Sequence, residues 1–322
     1  MEPKRQQPTE KGVHAEYVQK LAEKYEATGQ DINAYLEGLY FMDYLNYWDY
    51  INLDALLALQ IPRTTLPDEQ IFIHYHQITE LYFKLSILEI NQMLAPDFAP
   101  SKAVDRVKRL ERYFDNLVHS FSIMVDGMEP EQFLKFRMAL LPASGFQSAQ
   151  FRMIEIMCTD LIQLVAKEKR IDMQHEALDT QFDNLYWKQG AKELATGNKT
   201  LTLRKFEARY GNELLKLAQN SVMLNLNKAK NSWLADATVD KEKLIQALRE
   251  FDMAANVHWP LSHYRSAIKY LNKEPQDIAA TGGTNWQKFL PPRHQFKVFF
   301  PDLFSDEELQ NWGKSTLTKV FG

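Results

Sequence analysis

The chain has 322 residues, 45% of them hydrophobic, with a formal net charge of −4 and a pI near 6.1. That balance supplies apolar material for a large core and lacks the basic surface that nucleic-acid binding needs. A single cysteine, Cys158, excludes an intramolecular disulfide, a Cys-rich zinc site, a CxxC redox pair and a CxxCH haem attachment. The start of the chain is charged and has no apolar stretch of the signal-peptide kind. No run approaches about 18 apolar residues, so neither a leader nor a membrane span is expected. With so little cysteine, the expected location is the cytoplasm. Only 12 glycines occur. Hairpin-rich folds need more, so the expectation is an all-α fold.

In chain order, residues 1–15 read as a flexible N-terminal arm, and 16–322 as one all-helical domain. A helix is expected over 16–27, where Tyr17, Leu21 and Tyr25 recur at helical spacing. Asp31 is placed to cap the next, with Tyr35, Leu39 and Tyr40. Another covers 46–60. Two prolines, Pro62 and Pro67, break the pattern, and Asp68 suits an N-cap. From Glu69 to Met93, Phe72, His76, Phe83 and Ile87 lie near one face, and Ile73, Leu81, Leu85 and Leu88 widen the expected buried stripe. His74 and His76 are two apart and point in different directions, so they are no helical metal pair.

A helix over 103–125 carries Val104, Val107, Leu110, Phe114, Leu117 and Phe121. Pro130 suits the first turn of a short helix holding Phe133, Phe136 and Arg137. After the break at Leu141–Gly145 a long helix is expected to Lys169. Further helices are expected over 176–195, 203–229 and 239–272, the last interrupted at Pro260. A polar glycine loop, Ala280–Thr284, opens the tail.

Familiar catalytic signatures are absent: no GxGxxG, no P-loop, no HExxH, no GxSxG. Any chemistry must come from histidines and an arginine, with or without a bound cofactor. Taken alone, His76 reads either as a half-buried histidine with one hydrogen bond or as a functional group. His263 could hold haem iron from a helix, as single histidines do. Arg137, between Phe136 and Met138, reads as a surface ion pair or as a partner for an anion. Thr281–Thr284 could present amides to an anion or be a plain turn.

Several segments together resemble the tryptophan 2,3-dioxygenase family. PDEQIFIHYHQITELYFKLSILEI, from Pro67, is similar to its distal helix, DE-x-x-FI-x-x-HQ-x-x-EL-x-FK. Pro142–Ser148 with Gln150-Phe151-Arg152 resembles PASGFQS-x-QFR, and Phe136-Arg137 precedes it at the family's spacing. Trp259-x-x-x-His263 and Thr281–Thr284 are similar to the proximal histidine and the GTGGSSG loop. FFPDLF from Phe299 resembles FFPELF, and Tyr47-x-x-Tyr50-x-x-Leu53-Asp54 the early Y-x-x-Y-x-x-LD. Here the loop reads ATGGTNW, the stretch from His263 to Thr281 is longer, and Phe133 lacks the hydroxyl that some members carry.

The resemblance implies a helical haem-binding dioxygenase fold that opens the indole ring of L-tryptophan with O2 to N-formyl-L-kynurenine, the first step of kynurenine-route tryptophan catabolism. It implies non-covalent haem b, ferrous when active, with His263 as the axial ligand of its iron and Arg152 in the cofactor site. His76 would be catalytic, facing the indole N–H, beside Phe72 and Phe133. Arg137 would pair with the substrate carboxylate and Thr281 with its amino-acid end. Tyr47, Tyr50 and Ile51 would reach a neighbouring copy's site in a homotetramer built as a dimer of dimers. Nucleic acid and membrane are not expected partners. Two rival readings are a haem-dependent aromatic amino-acid hydroxylase and a non-catalytic haem or tryptophan sensor. Hydroxylase relatives that attach haem through a cysteine have one near the proximal histidine, and none lies near His263.

Overall fold

The computed structural model describes residues 10–42, 45–140, 147–193, 196–271 and 291–314. Its elements are helices, and no strand is formed among the described residues beyond two isolated bridges, Val165 with Leu185 and Lys192 with Lys199. The chain divides into two compact units, Met1–Leu59 and Gln60–Gly322.

The first unit holds α1 (Glu10–Glu26), α2 (Ile32–Phe41), α3 (Tyr47–Tyr50) and α4 (Leu53–Leu57). α1 begins inside the stretch expected to be an arm. Side-chain pairs four residues apart, Lys20 with Glu16 and Gln19 with Glu23, support it. Asp31 caps α2 as expected, accepting from the Asn33 amide. Asn52, in a left-handed conformation at φ 51°, separates α3 from α4. None of α2, α3 or α4 buries a residue.

The second unit is built around α5 (Pro67–Met93) and α6 (Ala103–Ser120). α5 starts at Pro67 and not at an Asp68 cap, because proline needs no amide partner at the first helical position. Asp68 instead lies in the first turn, where its carboxylate accepts from the Glu129 amide at 2.6 Å. The buried face of α5 carries Tyr75, Thr79, Phe83, Ser86, Ile90 and Met93. Leu81, Leu85 and Leu88, expected in the core, are exposed together with Ile78. Periodicity gives an apolar stripe but not what covers it. On α6 the expected stripe is buried: Val107, Leu110, Phe114 and Leu117 are inaccessible.

Next come α7 (Ser122–Asp126), α8 (Pro130–Ala139) and α9 (Ala149–Cys158). α9 does not run on to Lys169. Thr159 turns to an extended conformation, and Asp160 is drawn to Lys228 at 3.0 Å and Asn225 at 2.9 Å. The stretches expected as single helices are divided: α10 (Arg170–Met173), α11 (Leu178–Asp183), α12 (Tyr186–Gly190), α13 (Leu201–Ser221) and α14 (Leu226–Ala235). Thr200 and Asn225 cap the last two. α15 (Lys241–Met253) leads through a π-helical turn, Ala254–His258, into α16 (Trp259–Leu271). The expected interruption at Pro260 thus lies one turn earlier. Proline has no N–H for the carbonyl four residues back and its ring crowds it, and a widened turn relieves both. Helices α5, α6, α8, α9 and α14–α16 share one core with Phe299 and Phe300. A second cluster, with Leu164, Trp187 and Phe206, lies under α11–α13.

Candidate active site

Phe72 and His76 stand one turn apart on α5, with ring centroids 4.1 Å apart. The His76 Nδ1 is 2.7 Å from the Phe72 carbonyl. A carbonyl only accepts, so Nδ1 carries the proton and Nε2 of the neutral ring is an acceptor. Solvent reaches His76, yet burial is the main influence on its pKa and pushes it down.

His263, on α16, is half-buried. Burial drives its pKa down to about 3, and the nearby His76 pushes the same way. The Trp259 backbone one turn back acts the other way, favouring a proton on the ring, but less than burial opposes it. Phe121 and Trp259 flank the ring, each with its centroid 4.6 Å away. Tyr75 bridges the two sides, 5.9 Å from His76 and 5.6 Å from Phe121. Burial raises its hydroxyl pKa to about 12, and the hydroxyl donates to the Leu117 carbonyl.

This donor set fits a haem. Burial holds the His263 imidazole neutral, and a neutral imidazole has a lone pair to offer a metal. Among the described residues no group of three or more His, Cys, Asp or Glu side chains could hold a bare ion. A single histidine suits a metal that brings its own macrocycle, and aromatic walls suit the porphyrin faces.

α8 supplies the remaining wall. Phe133 lies 6.3 Å from Phe72 and 4.5 Å from Tyr270, ring to ring. Phe136 is fully buried against Phe72 at 5.6 Å. Arg137 follows one turn after Phe133 and is half-buried. Gln150 ties α9 to α5 through the Glu80 carbonyl at 2.9 Å and the Glu80 carboxylate at 2.8 Å. Thr281 and Leu141–Phe146 lie outside the described residues. Tyr47, Tyr50 and Ile51 belong to the first unit, and both tyrosines are more than two-thirds exposed, at 71% and 75%.

Arg152 is buried and committed inside the protein. Its NH1 is 2.9 Å from Glu155 and 2.5 Å from the Tyr186 hydroxyl. The Tyr186 hydroxyl donates to Glu155 at 2.6 Å, and Lys297 meets the same carboxylate at 2.6 Å. Nearby, Asp252 is inaccessible and accepts from the Phe299 and Phe300 amides and from Asn256. Burial lifts its pKa to about 6. Sequence reasoning missed Glu155, Tyr186, Lys297 and Asp252. The one available signal was a lone lysine inside the apolar run Phe296–Phe300. A cavity of about 640 Å³ lies elsewhere, between α6, α15 and the chain around Phe304–Gly313. None of Phe72, His76, Arg137 or His263 lines it.

Residues 40–273 match the family model for tryptophan 2,3-dioxygenase. The tryptophan 2,3-dioxygenase of Shewanella woodyi is 28% identical over 284 residues, covering 82% of this chain and 90% of that protein. Those of Sorangium cellulosum and Ruegeria pomeroyi are each 38% identical over shorter stretches, 125 and 118 residues. Those stretches cover 35% of this chain in both cases, and 30% and 41% of the two relatives. The match to the family runs through α5, α8 and α16, the helices that carry Phe72, His76, Arg137 and His263, and the chain belongs to the tryptophan 2,3-dioxygenase family.

Proposed function

We propose that this chain cleaves the indole ring of L-tryptophan with O2 to give N-formyl-L-kynurenine, the entry step of kynurenine-route catabolism. The carrying observation is the pairing of His76 and His263. His76 Nδ1 is held by the Phe72 carbonyl, His263 lies between Phe121 and Trp259, and burial disfavours a proton on both rings. His263 would hold the iron of a non-covalent haem b, ferrous in the active form. Haem, when bound, supplies the oxygen chemistry; the protein supplies binding, orientation and electrostatics.

His76 Nε2 accepts the indole N–H and so fixes the ring's orientation. Its depressed pKa keeps it neutral at pH 7, which an acceptor requires. Phe72 and Phe133 enclose the indole and exclude water. Arg137, one turn beyond Phe133, pairs its planar fork of donors with the substrate carboxylate. Thr281 takes the ammonium and carboxylate end. Arg152 belongs to the cofactor site through its charge, since its guanidinium is occupied by Glu155 and Tyr186.

The protein works as a homotetramer, a dimer of dimers, in which Tyr47, Tyr50 and Ile51 complete a neighbouring copy's site. Support comes from the first unit's surface. Leu39, Tyr40, Phe41, Tyr47, Trp48 and Tyr50 are all more than half exposed. Apolar area on that scale favours a partner. No helix among the described residues is long and apolar enough to cross a membrane, and the proposed location is the cytoplasm.

The direct test is ferrous, haem-replete protein with L-tryptophan in air, followed by formylkynurenine absorbance. Turnover is expected. A haem-replete protein that binds tryptophan without consuming it supports the sensor reading instead.

A further inference from the structure

Trp312 is 3% exposed, and its Nε1–H, out of reach of solvent, has no acceptor among the described residues. A buried donor left in that state costs free energy that nothing inside the protein offsets. The indole lines a pocket of about 320 Å³, a volume within the range of small-molecule sites. Phe296 and Leu309 add apolar surface to it, and Lys167, His294 and Lys314 bring nitrogen groups. No carboxylate lines the pocket. Lys167 is exposed, and its ammonium makes no ion pair or hydrogen bond among the described residues. It rests 3.9 Å from the centroid of the Phe296 ring. Arg170 lies against the same ring at 5.4 Å and has neutral partners, the carbonyls of Phe296 at 2.7 Å, Val165 at 2.9 Å and Gln163 at 2.5 Å. Burial lowers its pKa to about 10, and the carboxylate that opposes this is the exposed Glu168. These contacts accompany a left-handed Phe296, φ 45°, which a bulky residue rarely adopts and which persists where the surroundings over-determine it.

We propose that Lys167, His294, Lys314 and the Trp312 Nε1–H form a binding site for a small organic anion, a carboxylate or phosphate group carried on an apolar body. The charged group meets the ammonium groups and accepts from the indole, and the body rests on Phe296 and Leu309. An acceptor-rich anion is the chemistry that answers both an unpaired N–H donor and cations without carboxylates. Trp312 also borders the 640 Å³ cavity, but Glu111, Asp115, Glu250, Glu307 and Glu308 line that side and would repel an anion. None of them accepts from Nε1. None of Phe72, His76, Arg137 or His263 lines the smaller pocket, so the inference stands apart from the haem and tryptophan readings.

The test uses the haem-loaded full chain labelled with 5-fluorotryptophan and follows the ¹⁹F signal that the Trp312→Phe variant lacks. Benzoate and phenyl phosphate are the probes, and benzamide is the neutral control. Saturable movement of the Trp312 signal with either anion, and none with benzamide, is expected. The anion that binds more tightly assigns the charged group. Lys167→Glu changes an exposed side chain and should weaken binding about fivefold, the scale of a surface ion pair. Equilibrium dialysis of the same two anions against wild type and Lys167→Glu reads that loss without the fluorine assignment, should Trp312→Phe fail to fold. No movement of the signal at millimolar anion, equal movement with benzamide, or an affinity unchanged by Lys167→Glu overturns the inference.

Discussion

His76 and Phe72 are joined across one turn of α5 by a 2.7 Å hydrogen bond from the imidazole Nδ1–H to the Phe72 carbonyl. That bond selects the tautomer and aims the acceptor nitrogen away from the helix backbone. An indole N–H is the natural partner for it. Tryptophan methylated on the indole nitrogen lacks the donor and leaves the acceptor unpaired. It should bind about 5- to 150-fold more weakly than tryptophan, from a cost of about 1–3 kcal/mol. Equilibrium titration of the ferrous protein measures the ratio, and equal affinities would remove His76 from that role.

The same bond predicts a pH dependence. Burial lowers the His76 pKa below the ordinary value of about 6.5. Protonation destroys the acceptor. The apparent KM for tryptophan should therefore be flat at and above neutral pH and should rise only as the pH falls beneath that lowered pKa. A KM that worsens between pH 8 and pH 7 would assign the titration to another group.

Arg137→Met should raise KM strongly while the Soret band is retained. Losing a hydrogen bond to a charged group costs about 1.5–3 kcal/mol, or roughly 10- to 150-fold. Steady-state kinetics with the haem content measured alongside checks it. An unchanged KM would place the substrate carboxylate elsewhere.

Asp252→Ala leaves two buried amides, Phe299 and Phe300, without their acceptor. Each such orphan costs about 1–3 kcal/mol, so a loss of about 2–6 kcal/mol is expected by denaturant titration. The sign with pH also follows. Asp252 has its pKa raised to about 6 from 3.8, so the native state holds that proton more tightly than the unfolded chain. Its contribution is fully present below pH 3.8 and is lost as the pH rises through about 6. Asp252→Asn should flatten stability across that window. A wild-type curve with no slope there would contradict the assignment.

Much of this was legible in the chain. The four-residue spacing of Phe72 and His76, and of Phe133 and Arg137, put each pair on one helix face before any coordinates. The stripe of Val107, Leu110, Phe114 and Leu117 was read with its burial. Leu81, Leu85 and Leu88 were not, because periodicity records an apolar face without saying whether this chain covers it. Pro260 signalled an irregular turn, but local sequence did not say that a π turn at Ala254–His258 would absorb it. Arg152 was assigned to the cofactor site from its triplet. Its ion pair with Glu155 could be suspected from the three-residue spacing. The Lys297–Glu155 contact joins residues 142 apart in the chain and is set by tertiary packing alone.

The central claim is tested most directly by incubating the ferrous holoprotein with L-tryptophan under ¹⁸O₂ and weighing the product. The account predicts N-formyl-L-kynurenine carrying two labelled oxygens, allowing for slow exchange of the formyl oxygen with water. On the proposed roles, His76 as acceptor and His263 as iron ligand would bring one indole ring and one oxygen molecule together. A product with one labelled oxygen on an intact aromatic ring would contradict the account and establish a hydroxylase.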